Sequence, residues 1–289
     1  FAPLGGIHMV TLATAFLGTW LVLASDGSIR PRKRLFPIIL IAILITVGYT
    51  AQQTDFTRPD GSTRTVALLQ GNVVQTLKWR EDQVIPTIQK YYEQVGKTTA
   101  DIVIMPETAI PVMRQNLPEN ILAQFAEQAE NNGSALAVGI SQYTSDGSGY
   151  ENAVINLTGY QENNPNGIPY YAKNHLVPFG EYKPLPFLTT PLYKMMDMPL
   201  SDFRKGGDNQ PTLQMKDQKV AFNICYEDGF GDELITAAKD STLLANISNM
   251  AWYGKSNAMY QQLQQSQARA MVLGRYMVRA TNTGAPAIV

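Results

Sequence analysis

Two long stretches without a charged residue constrain this chain more than any other feature. Residues 1–25 and 35–54 contain no Asp, Glu, Lys or Arg, and both are rich in large aliphatic side chains. With a rise of about 1.5 Å per residue, a helix formed by either stretch is long enough to cross the ~30 Å apolar interior of a bilayer. We therefore predict a transmembrane helical hairpin over 1–54, as part of a longer membrane domain.

The basic cluster between the two stretches orients this hairpin. Residues 30–34 read Arg-Pro-Arg-Lys-Arg, and basic loops of this kind remain on the cytoplasmic side of a membrane. Everything after Asp55 is then expected to be non-cytoplasmic. A cleaved signal peptide fits the first stretch poorly, because no basic residue precedes the apolar run. A buried helical hairpin in a soluble core is the remaining alternative.

The rest of the chain alternates between strand and helix patterns. Residues 55–64 are polar and contain Pro and Gly, which indicates a linker, and 65–289 form a second domain that we expect to be incomplete at its carboxyl end. The predicted strands cover 65–70, 101–105, 135–140, 152–157, 169–172, 220–225, 243–247 and 277–280, and the predicted helices cover 81–98, 118–132, 231–239 and 258–273. This order predicts a layered α/β fold.

The composition excludes several kinds of site. Cys225 is the only cysteine, so the chain has no internal disulfide and no cysteine-rich metal site. Its two histidines, His8 and His175, are too few for a histidine-based zinc site. The net charge of −1 gives no basic stripe of the kind that binds nucleic acid. We expect no metal, no cofactor and no nucleic-acid partner.

Three reactive side chains follow predicted strands directly, and they are Glu107, Lys173 and Cys225. The carboxyl ends of strands in α/β sheets converge on one crevice, so these groups can meet there. A thiol can attack an acyl carbonyl, a carboxylate can take and return the proton, and an ammonium can lower the thiol pKa and face the oxyanion. Each residue also fits a structural role, and His175 is an alternative base for the thiol.

Three motifs, in this order, resemble the nitrilase superfamily. They are Met-Pro-Glu-Thr-Ala at 105–109, Lys-Asn-His-Leu-Val-Pro-Phe-Gly-Glu-Tyr at 173–182 and Ile-Cys-Tyr-Glu at 224–227. The last two, together with Gly-Arg at 274–275 and Arg-Ala-Thr-Asn-Thr-Gly at 279–284, are similar to the membrane-embedded apolipoprotein N-acyltransferase family. The resemblance implies an αββα sandwich preceded by transmembrane α-helices.

The resemblance also implies a role for each matching residue. Cys225 would be the nucleophile, Glu107 the general base and Lys173 the cation beside the oxyanion. The supporting residues that it implies are Glu181 beside Lys173, Tyr226 and Glu227 in the lining of the site, and Trp79 near the substrate pocket. The chain departs from the family pattern at Met250, where an Asp is usual, and around Gln261 and Gln262, where a Gln-His pair is common.

The reaction that the resemblance implies is a ping-pong acyl transfer through a thioester on Cys225. A phospholipid would donate the acyl chain, and the α-amine of the lipid-modified N-terminal cysteine of an apolipoprotein would accept it. The other implications are a bilayer as partner, a catalytic domain on the periplasmic side of the bacterial inner membrane, and a monomer. The alternatives are a membrane-tethered amidase or nitrilase, and a non-catalytic membrane-anchored scaffold.

A Met-rich apolar loop follows Glu181 directly. Residues 184–200 read Pro-Leu-Pro-Phe-Leu-Thr-Thr-Pro-Leu-Tyr-Lys-Met-Met-Asp-Met-Pro-Leu. We expect Phe187, Leu188 and Met195 to contact acyl chains at the bilayer surface. The alternative is a loop that packs over the core of its own domain.

Overall fold

The structure is a computed structural model that describes residues 1–59, 61, 63–161, 164, 167–185, 187, 202–284 and 286–289. The chain divides into two compact units. One unit consists of residues 1–61 with 268–275, and the other consists of 62–267 with 276–289. The second unit contains every residue predicted for the catalytic site.

The first unit is built on two long apolar helices, α1 (Ala2–Ser25) and α2 (Pro31–Gln52). Helix α1 is kinked near its start, where Gly6 has a φ of +69°, a conformation that favours glycine. Both helices are long and apolar enough to cross a membrane. Their large apolar side chains face outward, and Leu12 and Phe36 are 50% and 66% exposed. Such exposure favours lipid around the helices over the buried-hairpin alternative.

The second unit contains two five-stranded sheets. The first sheet has the order β1-β2-β3-β4-β5 and comprises Val66–Leu68, Ile102–Ile104, Ala135–Tyr143, Tyr150–Asn156 and Tyr170–Ala172. The second has the order β10-β9-β8-β7-β6, and its strands β6 to β10 are Leu213–Met215, Gln218–Ile224, Leu243–Ser248, Met277–Thr281 and Ala287–Ile288. In each sheet three neighbouring strands are parallel, β1 to β3 and β7 to β9, and the remaining pairs are antiparallel.

In the described part of this unit, four longer helices accompany the sheets, and the sequence pattern predicted each of them within two residues. They are α3 (Glu81–Gly96), α4 (Glu119–Asn131), α5 (Gly231–Lys239) and α6 (Ala258–Leu273). Helix α3 runs through Pro86 without ending, although this proline lacks the N–H that would donate to the carbonyl oxygen four residues earlier. Short 3₁₀ helices lie at Arg114–Asn116, Cys225–Gly229 and Met250–Tyr253.

The core lies in two layers. The sheets pack face to face through buried side chains such as Ile104, Phe222 and Ile247. A separate apolar cluster joins the outer face of the first sheet to helices α3 and α4, through Tyr91 and Phe125 among others. Helix α5 packs against β7 on the other side. At about 1.5–3 kcal/mol for each large side chain buried, these layers stabilise the predicted αββα sandwich, and that prediction is confirmed.

Candidate active site

Three strand ends carry the predicted catalytic residues into one buried cluster. Glu107 follows β2, Lys173 follows β5 and Cys225 follows β7. The three are buried, with 6%, 1% and 8% of their surface exposed, respectively. The Lys173 Nζ lies 3.8 Å from Oε1 of Glu107, and the charges of both residues act on the Cys225 thiol. The structure therefore brings together a thiol, a carboxylate and an ammonium.

Cys225 lies at a strained turn between β7 and a short 3₁₀ helix. Its φ of +54° falls in the left-handed region that residues other than glycine seldom adopt, and that they adopt mostly where surrounding contacts hold them. Its carbonyl oxygen accepts hydrogen bonds from Gln262 Nε2 at 2.7 Å and from Asn246 Nδ2 at 3.3 Å. These bonds fix the backbone of the candidate nucleophile.

A buried polar network continues from Gln262. One guanidinium nitrogen of Arg279 donates to Gln262 Oε1 at 2.6 Å, and the other donates to Ser266 Oγ at 3.0 Å and to Asp228 Oδ2 at 3.3 Å. Burial lowers the pKa of Arg279, and the charge of Asp228 opposes this effect. The turn at Cys225 thus rests on an ion pair without solvent access.

Glu107 is held on both carboxylate oxygens. Oε1 accepts from Asn152 Nδ2 at 2.7 Å, and Oε2 accepts from the backbone N–H of Asn249 at 2.8 Å. The chain can turn into the crevice here because Gly139 lies beneath it. A Cβ atom on Gly139 would lie 2.1 Å from the carbonyl oxygen of Pro106.

Lys173 is paired with two carboxylates. Its Nζ lies 2.8 Å from Oε1 of Glu181, in addition to the longer contact with Glu107. Burial alone would lower the pKa of Lys173, but the charges of Glu107 and Glu181 outweigh it and raise the pKa. The other oxygen of Glu181 accepts from the backbone N–H of Val177 at 2.8 Å. Lys173 is therefore a fixed positive charge.

Burial and the charges of neighbouring residues set the acidity of the Cys225 thiol. Burial raises the pKa of Cys225 to about 12, and the charge of Glu107 adds to this effect, while the charge of Lys173 opposes it. The charge of Lys173 acts on the thiol in the direction that the sequence predicts, but burial and Glu107 together outweigh it. The sulfur remains protonated until a base removes its proton, and Glu107 is the carboxylate that acts on it most strongly.

Glu227 is buried, and its carboxylate accepts hydrogen bonds from three backbone N–H groups and from the Tyr171 hydroxyl. Oε1 accepts from the N–H groups of Asn174 at 2.7 Å and His175 at 2.9 Å, and Oε2 accepts from that of Ile224 at 2.6 Å. This carboxylate joins the segment after β5 to the turn after β7. It positions Lys173 relative to Cys225.

His175 contacts other partners than the thiol. Its Nδ1 lies 2.7 Å from Oε1 of Glu233, and its ring stacks on Phe230 with 3.4 Å between ring centroids. Tyr226 is exposed and lies edge-on to Phe230, with 5.0 Å between their ring centroids. This geometry favours Glu107 over His175 as the base.

The residues predicted to bind substrate are more exposed than the catalytic residues, where the structure describes them. Trp79 is 41% exposed, and Phe187 is almost fully exposed. Leu188 and Met195 lie outside the described residues, as does most of the loop 184–200. A contact between this loop and acyl chains stays a prediction.

Several residues of the site escaped the sequence reasoning. Asn249 follows β8 as Cys225 follows β7, so the strand-end rule could have identified it. Gln262 lies where the resemblance already pointed to a Gln-His pair, but its polar helix did not indicate a bond to the Cys225 carbonyl oxygen. Lys78 is buried, and its Nζ donates to the carbonyl oxygen of Glu107 at 3.2 Å. Lys78 directly precedes Trp79 in a stretch without strand or helix periodicity, and a lysine in such a stretch is usually solvated.

Comparison with known proteins agrees with this geometry. The family model for carbon-nitrogen hydrolases matches residues 65–289. The chain belongs to the carbon-nitrogen hydrolase family. A mutant amidase from Nesterenkonia sp. AN1, with acrylamide added at its active-site cysteine, is 15% identical with a TM-score of 0.53, and the match covers 79% of this chain and 85% of that one. The likeness shows that this carbon-nitrogen hydrolase shares the amidase's fold.

Curated relatives resemble the whole chain more closely. An apolipoprotein N-acyltransferase from Neisseria meningitidis serogroup B is 87% identical over all 289 residues, which cover 56% of that protein. Another from Chromobacterium violaceum is 47% identical over the same residues, which cover 54% of it. This carbon-nitrogen hydrolase chain thus spans about half the length of these relatives.

Proposed function

We propose that this chain is the catalytic part of an apolipoprotein N-acyltransferase. The buried cluster of Glu107, Lys173 and Cys225, in a chain with two membrane-length apolar helices, is the observation that carries the proposal. The name of the relative that is 87% identical supports it. The enzyme moves an acyl chain from a phospholipid to the lipid-modified N-terminal cysteine of an apolipoprotein.

The first half-reaction forms the thioester. Glu107 takes the proton from the Cys225 sulfur, which then attacks the ester carbonyl of the phospholipid. The negative charge on the acyl oxygen develops beside the ammonium of Lys173. When the carbon–oxygen ester bond breaks, Glu107 returns the proton to the leaving alkoxide, and a lysophospholipid departs.

The second half-reaction transfers the acyl chain to the apolipoprotein. The free α-amine attacks the thioester carbonyl, and Lys173 again faces the oxyanion. Glu107 accepts a proton from the attacking nitrogen and gives it to the sulfur as the carbon–sulfur bond breaks. The products are an amide and the thiol of Cys225. Because the three residues are buried, little water reaches the thioester to compete with the amine.

The membrane segments support a location for this chemistry. We propose that α1 and α2 lie in the bacterial inner membrane with the basic residues 30–34 in the cytoplasm, as basic loops require. The catalytic unit then belongs to the periplasmic side, where the bilayer supplies the phospholipid.

The decisive experiment is the intact mass of the full-length, membrane-extracted enzyme after incubation with phospholipid vesicles. We expect a fatty-acyl mass that hydroxylamine removes, and that is absent from Cys225→Ala. Addition of a lipid-modified N-terminal peptide should discharge the adduct and yield an N-acylated peptide. A folded enzyme that gains no acyl mass but releases ammonia from small amides would instead be an amidase.

A further inference from the structure

The crevice contains a second buried lysine that the proposed mechanism does not use. Lys78 is 2% exposed, and its Nζ donates to the backbone carbonyl oxygen of Glu107 at 3.2 Å. Lys173, by contrast, contacts the carboxylates of both Glu107 and Glu181. Within the described part of the chain, no carboxylate oxygen lies within 4.0 Å of the Lys78 amine.

An ammonium buried without a contacting carboxylate is costly, so its surroundings must favour the charge in another way. Burial lowers the pKa of Lys78 to about 8, and the negative charges of Glu107 and of the Cys225 thiolate oppose the decrease. The groups that keep Lys78 charged are therefore the two that exchange the proton in the reaction.

The balance of charge in the crevice suggests what this amine does. Glu107 and Glu181 carry two negative charges, against one positive charge on Lys173. When Glu107 takes the thiol proton, a negative charge moves from its carboxylate to the sulfur. A cation that feels both positions stabilises the charge before and after this transfer.

We propose that Lys78 is a charge-balancing residue of the catalytic centre, which acts through Glu107 and Cys225 and keeps the thiolate accessible to the reaction. The proposal deepens the function proposed above and rests on it. The competing explanation is structural, namely that Lys78 only anchors its own turn to the carbonyl oxygen of Glu107.

The test measures how fast iodoacetamide alkylates Cys225 in the full-length detergent-extracted enzyme, from about pH 6 to about pH 10. The modified peptide that contains Cys225 is quantified by mass. In the unmodified enzyme, the rate should rise with pH and then level off near pH 8, since Lys78 loses its charge there and no longer favours the thiolate. Lys173 keeps its charge throughout because its pKa is raised.

Two substitutions separate charge from shape. Lys78→Arg keeps a positive charge over the whole range, so the rate should continue to rise beyond pH 8. Lys78→Met keeps a side chain of similar length but loses the charge, so the alkylation rate at pH 7 should fall by about tenfold or more. A plot of its rate against pH should show no change of slope near pH 8. Lys90→Met is the matched control, because the Lys90 Nζ also donates to a backbone carbonyl, that of Gly71, and the pH profile should not change.

A profile of the unmodified enzyme without a change of slope near pH 8 would overturn the proposal. A Lys78→Met enzyme that reacts at the unmodified rate at pH 7 would overturn it too. If Lys78→Met does not fold, the profiles of the unmodified enzyme and of Lys78→Arg decide. Because alkylation needs neither phospholipid nor apolipoprotein, the result is readable even if the enzyme fails to form an acyl thioester.

Discussion

The two sheets of the sandwich contribute to the crevice in different ways. The first sheet supplies Glu107 and Lys173, a carboxylate and an ammonium placed to exchange a proton and face an oxyanion. The second sheet supplies Cys225 and, beneath it, the buried pair of Arg279 and Asp228. Both sheets thus bury a cation–carboxylate pair, but in the proposed mechanism one pair takes part in the chemistry, whereas the other supports a strained turn. We expect changes in the first to affect rate, and changes in the second to affect stability first.

The largest effect should follow from Glu107→Gln. An amide cannot accept the thiol proton, and general acid–base catalysis contributes about 10²–10⁴-fold to a rate, so thioester formation should slow by about this factor. The rate is measured by rapid-quench mass spectrometry of the acyl enzyme.

Glu151→Gln is the matched control, because Glu151 is also a buried carboxylate of the first sheet that accepts from an amide, Gln142 Nε2 at 2.6 Å. It should keep a rate close to that of the unmodified enzyme. If Glu107→Gln acylates at that same rate, Glu107 is not the base.

The second effect tests the other sheet. Arg279→Met leaves the Asp228 carboxylate buried without its cation, and breaking such a pair destabilises a protein by about 3–5 kcal/mol. Denaturant unfolding of the purified enzyme, followed by tryptophan fluorescence, measures the loss. Adding Asp228→Asn should recover part of it, since an unpaired charge is then no longer buried.

Arg64→Met provides the contrast on the surface. Arg64 Nε lies 2.7 Å from Oδ1 of Asp217, but both side chains are exposed to solvent, so the substitution should change stability little. An equal loss from both substitutions would mean that burial does not distinguish these pairs.

The sequence predicted which residues lie at the site, because buried strands and their ends can be recognised from short stretches of sequence. Glu107 and Cys225 follow strands of parallel pairs, whose carboxyl ends lie at one edge of the sheet. Lys173 follows β5, which pairs antiparallel with β4. The apolar stretches of α1 and α2 were equally evident, since uncharged residues accumulate in membrane-length segments.

The contacts between these ends could not be predicted, because they join residues distant in the chain. Gln262 reaches the carbonyl oxygen of Cys225 across 37 positions, and Asn249 reaches Glu107 across 142. Nor could the sequence alone indicate the acidity of the thiol, since burial and Glu107 together outweigh Lys173. Strand β6 was missed because its three residues follow a segment without periodicity.

A smaller effect on rate should follow from Glu181→Gln. Glu181 holds Lys173 at 2.8 Å, and hydrogen bonds to charged groups contribute about 1.5–3 kcal/mol, which corresponds to a rate loss of about 10–100-fold if Lys173 moves away from the oxyanion. Thioester formation measured as above should show a loss smaller than that of Glu107→Gln. Glu233→Gln, next to His175 rather than Lys173, is the control and should leave the rate unchanged. A loss as large as that of Glu107→Gln would assign proton transfer to Glu181.

The smallest effect should follow from Gln262→Leu, which removes one of two donors to the Cys225 carbonyl oxygen. Asn246 still donates to that oxygen at 3.3 Å, so the turn should persist and the rate should fall less than tenfold. The unfolding free energy should fall by about 1.5–3 kcal/mol, because the buried Arg279 guanidinium also loses its acceptor on Gln262. Gln261→Leu is the control, because the side chain of Gln261, the residue before Gln262, is exposed.

Because Gln262 also accepts from Arg279, the double substitution Gln262→Leu with Arg279→Met should destabilise less than the sum of the two single changes. Strict additivity would mean that the ion pair and the turn at Cys225 are independent, and that the second sheet supports its nucleophile without the network beneath it.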